Sequence, residues 1–407
     1  MTPRFTSKEI HFLKTDSDEL TIHPPEVYFS DLLLTDSPGI RAFEKRLEQA
    51  SIPNEKFLCA VVQISQEDPD PAGETAKDAF EAAFSLFLDH DRGIWETLDE
   101  TSFILAFWDY EDEKKASKII LSLKNALSKG VRAQVLVGSA SFPYHDFPRA
   151  KAVANALKAI DHAAFFGSGA LVPFDGTSLN ISGDRLYHLT EYALAVKEYE
   201  EGLRIKPHDI NLINSLGVCF AVSGELDKAM EQFEAAMKIN PDEIMVVYNI
   251  GLLHQIDNDT DKAVAYLRKA HAVNGAVFEV ELVLGHLLFK KDLFHQALPH
   301  LEAATRINPK SSLAFRIKGE IFLARDEPEK AGPEFNTAIK LNPSDAFSLS
   351  GYAKSLELQN KNLNIALTFA KSSMALDPDN PLFGERLRTL REKIEGIPAE
   401  ENISKTA

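Results

Sequence analysis

His286, His295 and His300 cluster in the sequence. Their spacings of nine and five do not put two imidazoles on one helical face, and no cysteine joins them, so packing or surface roles are expected. Gly167-Ser168-Gly169 has the composition of a phosphate loop. It follows a helical run and precedes a strand-like one, the reverse of a nucleotide fingerprint, so a turn is expected. The acidic run Glu67–Asp70 reads as a solvated loop with at most a weak pull on cations. Serine, histidine and aspartate are all present, but no nucleophile-elbow motif accompanies them. Cys59 and Cys219 are the only two cysteines and read as buried thiols of a reducing compartment. No cofactor and no metal are expected from these groups.

The elements that would position any site are set by a period. An offset of 34 links Gly217, Gly251, Gly285 and Gly319, and likewise Ala229, Ala263, Ala297 and Ala331. Ala236, Ala270, Ala304 and Ala338 follow the same offset, as do Phe233, Leu267, Leu301 and Phe335. Pro241, Pro309 and Pro343 recur with it, Gly275 filling the remaining slot. Two helical stretches per copy, with small residues where helices must approach and a proline to stop the second helix, predict a stacked solenoid. Gly183, Ala195, Tyr199, Gly202 and Pro207 fit an earlier copy over 176–209, and Ala366, Ala370, Ser373 and Pro378 fit a sixth with a one-residue insertion. Residues 381–397 then read as a more polar capping helix and 398–407 as a disordered tail. This pattern resembles the tetratricopeptide repeat (TPR) family over 176–380.

The first half reads differently. After an irregular arm (1–30), helical runs over 37–50, 73–89, 112–128 and 147–166 alternate with strand-like runs at 57–65, 94–98, 103–108, 132–140 and 170–174. That order predicts an α/β sandwich over 31–175. Leu34-Thr35-Asp36-Ser37-Pro38-Gly39-Ile40-Arg41-Ala42-Phe43, Val135–Ala140 with Phe142-Pro143, and Ile160-Asp161-His162-Ala163-Ala164-Phe165 carry a resemblance to the GGDEF domain of diguanylate cyclases. The resemblance implies a site in which carboxylates hold Mg²⁺ against a triphosphate, one at the end of the first strand and others in a glycine-rich turn. Here those positions fall on Gln63, with Ser65 nearby, and on Asp99-Glu100-Thr101-Ser102-Phe103, of which only the phenylalanine is kept. The inhibitory-site positions fall on His90 and Gly93. An amide and two hydroxyls cannot replace those charges on a hard cation, so the expectation is a degenerate, non-catalytic domain. Asp99 and Glu100 could enter the site only through a register slip that would turn the following side chains across the sheet.

Composition narrows the partners. With 61 Asp and Glu against 44 Lys and Arg, the formal net charge of -17 argues against nucleic acid or an anionic membrane. No apolar run approaches the roughly 20 residues of a membrane span, and the start of the chain shows no secretory pattern. A cytoplasmic protein is expected. The TPR resemblance implies that the first helix of each pair lines a concave groove, giving Asn214, Val218, Tyr248, Leu252, Leu282, His286 and Arg316 as candidate partner-binding residues. The positions of the family's carboxylate clamp fall on Asn214, Val218, Asn249, Glu279 and Val283, and only Asn249 agrees. The function expected is that of a non-enzymatic adaptor that takes a protein or peptide in the groove. The alternatives are an unusual cyclase, or a sensor in which the front domain binds a nucleotide.

Overall fold

The computed structural model describes residues 27–35, 37–65, 75–88, 91–130, 134–167 and 169–396. The arm before residue 27, the run Glu67–Asp70, His90, Ser168 and the tail 398–407 lie outside the described residues. One compact unit runs to Ile239 and a second begins at Asn240.

The first unit opens with α1 (Pro38–Gln49), with proline at its first turn. The chain then forms β1 (Phe57–Ser65), α2 (Ala76–Phe87), β2 (Gly93–Thr97), β3 (Ser102–Trp108), α3 (Glu113–Gly130), β4 (Gln134–Phe142), α4 (Lys151–Phe165) and β5 (Leu171–Pro173). The strands make one mixed sheet in the order β2-β3-β1-β4-β5, antiparallel except for the β4–β5 pair. The segment from β1 to β4 is a split β-α-β arrangement. Central β1 is covered on both faces. Phe57, Cys59 and Val61 pack with α1 and α4, whereas Leu58, Ala60, Val62 and Ile64 pack with α2 and α3. That double burial is why its sequence is a continuous apolar run rather than an alternation. Helix α4 crosses β4 at Gly138, where a Cβ would come within 2.0 Å of the Ile160 amide nitrogen.

The same unit continues into α5 (Gly176–His188), α6 (Tyr192–Ile205), α7 (Ile210–Val222) and α8 (Leu226–Ile239). Phe174 and Leu179 join the core beneath α4, so α5 shares apolar contacts with the sheet domain. Lys158, 3 % exposed on α4, pairs with Glu198 of α6 at 2.7 Å. Asp31 takes the Arg185 guanidinium bidentately, at 3.0 and 2.6 Å.

The second unit consists of α9 (Ile244–Ile256), α10 (Thr260–Val273), α11 (Phe278–Lys290), α12 (Phe294–Ile307), α13 (Ser312–Ala324), α14 (Pro328–Leu341), α15 (Ala346–Leu358), α16 (Leu363–Leu376) and α17 (Pro381–Glu395). Each glycine of the period faces the large residue sixteen positions on. A Cβ at Gly285 would lie 2.7 Å from Leu301, and one at Gly319 2.9 Å from Phe335. The turn inside every pair is also repeated. The amides of Glu191, Glu225, Asp259, Leu293, Glu327 and Lys361 donate to the carbonyls of Leu186, Phe220, His254, Leu288, Phe322 and Leu356. The residue before each donor is left-handed, with φ between 55° and 83°, at Thr190, Gly224, Asn258, Asp292, Asp326 and Asn360. This is the six-to-one closure that ends many helices. The inserted residue of the last pair falls in its turn, where Asn362 is also left-handed (φ 48°). Helix α17 buries Phe383, Leu387 and Leu390 against its neighbours. Among the described residues no helix is long and apolar enough to cross a membrane.

Two substitutions test this framework. Thr190 is the one β-branched residue in the recurring left-handed position, and it is exposed. Thr190→Asn, the residue found in two other turns, is expected to raise stability by about 1 kcal/mol by relieving that strain. A urea midpoint equal to or below wild type would show that no strain is held there. Ala263 is fully buried in the α9–α10 contact. Ala263→Arg is expected to cost more than about 3 kcal/mol, because a charge without a partner is forced into a tight helix crossing. An unchanged melting transition would mean that the helix contact is not where the period places it.

Candidate functional site

Gln63 and Ser102, which the sequence resemblance would align with cyclase acids, lie side by side in the sheet. Gln63 pairs with Ser102 and Val62 with Phe103, so β3 keeps its unslipped register and Phe103 stays in the core. Ser102 is fully buried, Gln63 half-buried and Ser65 exposed at the strand end. Asp99 and Glu100 are exposed in the turn. The Asp99 carboxylate folds back onto the turn, accepting from the Thr101 amide at 2.8 Å and from its hydroxyl at 3.1 Å. A neutral amide and a buried hydroxyl are thus paired across β1 and β3. The acids Glu67, Asp68 and Asp70 of the following run fall outside the described residues.

Polar groups of this unit serve its assembly instead. Asp161, 1 % exposed on α4, accepts from the amides of Phe29 at 2.6 Å and Ser30 at 2.9 Å. Burial pushes its carboxyl up to about 6 against the pull of those hydrogen bonds. His162 Nδ1 lies 3.1 Å from the Ser178 hydroxyl, and Lys206 reaches the Asp175 cap of α5 at 2.7 Å. A cleft of about 240 Å³ opens beside these contacts, between Asp31, Lys151, Lys158, Arg185 and Glu198. Lys151 is tied to Glu201 at 3.0 Å, Lys158 to Glu198 and Arg185 to Asp31, so those cations are already engaged.

The candidate groove residues fall in both units. Asn214 and Val218, on α7 of the first unit, are 8 % and 4 % exposed. In the second unit, Tyr248 and Leu252 are 4 % and 9 % exposed and belong to the apolar core with Val280, Leu284 and Leu288. Leu282, Phe289 and Leu313 pack on that core while staying partly exposed. His286 is half-buried, and burial, reinforced by Lys290 and Arg316, lowers its pKa to about 4, so it is neutral at pH 7. Arg316 is held by Asp345 at 3.2 Å and stacks over Phe347 at 5.3 Å. From α17, Arg386 reaches Glu320 at 3.5 Å and Ser350 at 3.2 Å. Arg316, Glu320 and Arg386 are therefore paired within the unit, and the apolar side chains supply its open contact area.

The histidines are arranged otherwise than their spacing alone suggests. His295 is exposed and His286 stands on α11, but His300 meets His271 and Glu281, two residues that sequence reasoning passed over. Burial works to raise the Glu281 carboxyl. The hydrogen bonds from His300 and His271 outweigh it and hold the carboxyl below the usual range. A signal was available in the repeat itself: Glu281 occupies a slot that is Ile213, Val247 and Phe315 elsewhere.

Comparison with known proteins places the repeats. Residues 246–274 and residues 282–346 each match a family model described as tetratricopeptide repeat. No curated protein matches the chain. Among solved structures, YrrB, a TPR protein with an unusual peptide-binding site, is 17 % identical, with 47 % of this chain and 97 % of that one covered at a TM-score of 0.42. PilF of Pseudomonas aeruginosa is 15 % identical, with 54 % and 97 % covered at 0.48. PilW, a widely conserved type IV pilus biogenesis factor, is 20 % identical, with 53 % and 98 % covered at 0.44. Tetratricopeptide repeats are thus present in the second unit of this chain, over 246–274 and 282–346.

Proposed function

We propose that the protein is a non-catalytic scaffold that docks a peptide or protein segment along the first helices of its second unit. The observation that carries this is the strip of partly exposed apolar residues, Leu282, Phe289, Leu313 and Phe347, on successive first helices that lie against one another. Tetratricopeptide repeats are in general protein-interaction scaffolds, and a solenoid offers an extended surface for such contacts. Tyr248 and Leu252 support the strip from within, and Arg316 and His286 border it. The front domain is read as a degenerate GGDEF-like domain. The split sheet, the close passage of α4 over Gly138 and the neutral pair Gln63–Ser102 support that reading. Cytoplasmic residence is supported by two buried, unpaired thiols.

Two measurements test the proposal. A displayed library of unstructured peptides is selected on the full chain, and the best binder is titrated against variants. Leu282→Glu and Phe347→Glu are each expected to cost about 2 kcal/mol or more, since a charge enters a contact that excludes water. Affinity is expected to change little with salt, because the strip itself is apolar. Binding that survives both substitutions in folded protein places the docking surface elsewhere. Incubation with GTP or ATP and Mg²⁺ or Mn²⁺ is expected to give no cyclic nucleotide above a protein-free control. Protein-dependent product would overturn the non-catalytic reading.

A further inference from the structure

Glu281 of α11 has a fully buried carboxylate, and each of its oxygens meets one imidazole. His271, in the last turn of α10, brings Nδ1 to 2.5 Å from Oε1, and His300 of α12 brings Nδ1 to 2.7 Å from Oε2. The two rings stand edge to face with centroids 4.8 Å apart. Donor atoms of all three residues lie within 4.8 Å of one another.

This grouping is a local break in the repeat. Glu281 replaces an apolar residue, as Ile213, Val247 and Phe315 show at the same offset. His271 stands where other copies have Met237, Thr305 and Ile339. The recurrent proline of the period, Pro241, Pro309 and Pro343, becomes Gly275 in this copy alone. Even a Cβ at Gly275 would come within 3.1 Å of His271 Cε1, so the glycine makes room for the imidazole. Several departures from one period thus serve a single cluster.

Burying a lone carboxylate is costly, and it persists only with compensating partners. Two imidazole nitrogens and one carboxylate are a ligand set suited to a borderline divalent ion, with a fourth position left for water. The His271 side chain is 42 % exposed, which leaves the cluster open to solvent on that side. We propose that His271, Glu281 and His300 form a binding site for a divalent transition-metal ion of the zinc class, which ties α10, α11 and α12 together across the junction of two repeats. Occupation replaces the two imidazole N–H···O bonds by bonds to the cation, each ring proton moving to the opposite ring nitrogen, and the cation neutralises the buried charge.

The test uses the full chain without a polyhistidine tag, stripped with a chelator and then dialysed. Zn²⁺ titrated by calorimetry is expected to bind in one equivalent and to raise the melting temperature of the protein. Co²⁺ in its place is expected to give the visible absorption of a four-coordinate site. His271→Ala changes a half-exposed residue and leaves the fold intact, and Glu281→Gln keeps the shape of the buried group. Each is expected to weaken Zn²⁺ at least about tenfold, well beyond the exposed control His295→Ala. If the wild type takes up no stoichiometric Zn²⁺, or if folded His271→Ala binds as the wild type does, the site is a hydrogen-bonded trio only and the proposal fails.

Discussion

Gly138 lies so close beneath the α4 backbone that no side chain fits there, and in the repeats Gly217, Gly285 and Gly319 leave room for the side chains of Phe233, Leu301 and Phe335. A residue without a side chain set against a large one lets two backbones approach while the interior stays filled. In the sheet domain this seats α4 directly on β4. In the repeats it fixes how each second helix lies on the first. Much of the other packing follows from these approaches. The fully buried alanines at 229, 263, 297 and 331 line the crossings, and the same left-handed turn closes each pair.

Helix α4 has a second role that its sequence only hints at. Most of its residues are buried, including Lys158, Asp161 and His162, which a free-standing surface helix would expose to water. Each has a specific partner: Glu198 for the lysine, the Phe29 and Ser30 amides for the aspartate, and Ser178 for the histidine. The helix is therefore packed on one side by the sheet and on the other by α5 and α6. The first helical pair is seated on the α/β layer through this shared element.

Regularity and its interruptions divide the labour in the second unit. Where the period is kept, the side chains maintain the stack. Where it breaks, at His271, Gly275, Glu281 and His300, polar groups gather that packing alone does not call for. Local rules broken together at one place are a mark of a functional or strained position. The apolar strip differs in kind, because it arises from ordinary repeat positions left partly uncovered by the neighbouring helices.

The sequence by itself determined the helix pairs, their period and the order of strands and helices, because glycine, alanine and proline at fixed offsets constrain backbone geometry locally; the boundary it suggested near residue 175 is not where the two compact units divide, since α5 to α8 belong with the sheet. It also showed that Gln63, Thr101 and Ser102 carry no charge for a cation, since that depends on residue type alone. Spacing along the chain was misleading for the histidines: His286, His295 and His300 are near in sequence, whereas the cluster draws His271, Glu281 and His300 from three helices. Only the tertiary structure decided that Tyr248 and Leu252 are core residues, while Leu282 and Phe347 keep accessible surface. Periodicity places a residue on a helix face, but how much of that face the neighbouring helices cover depends on their angle and on the side chains they bring to it.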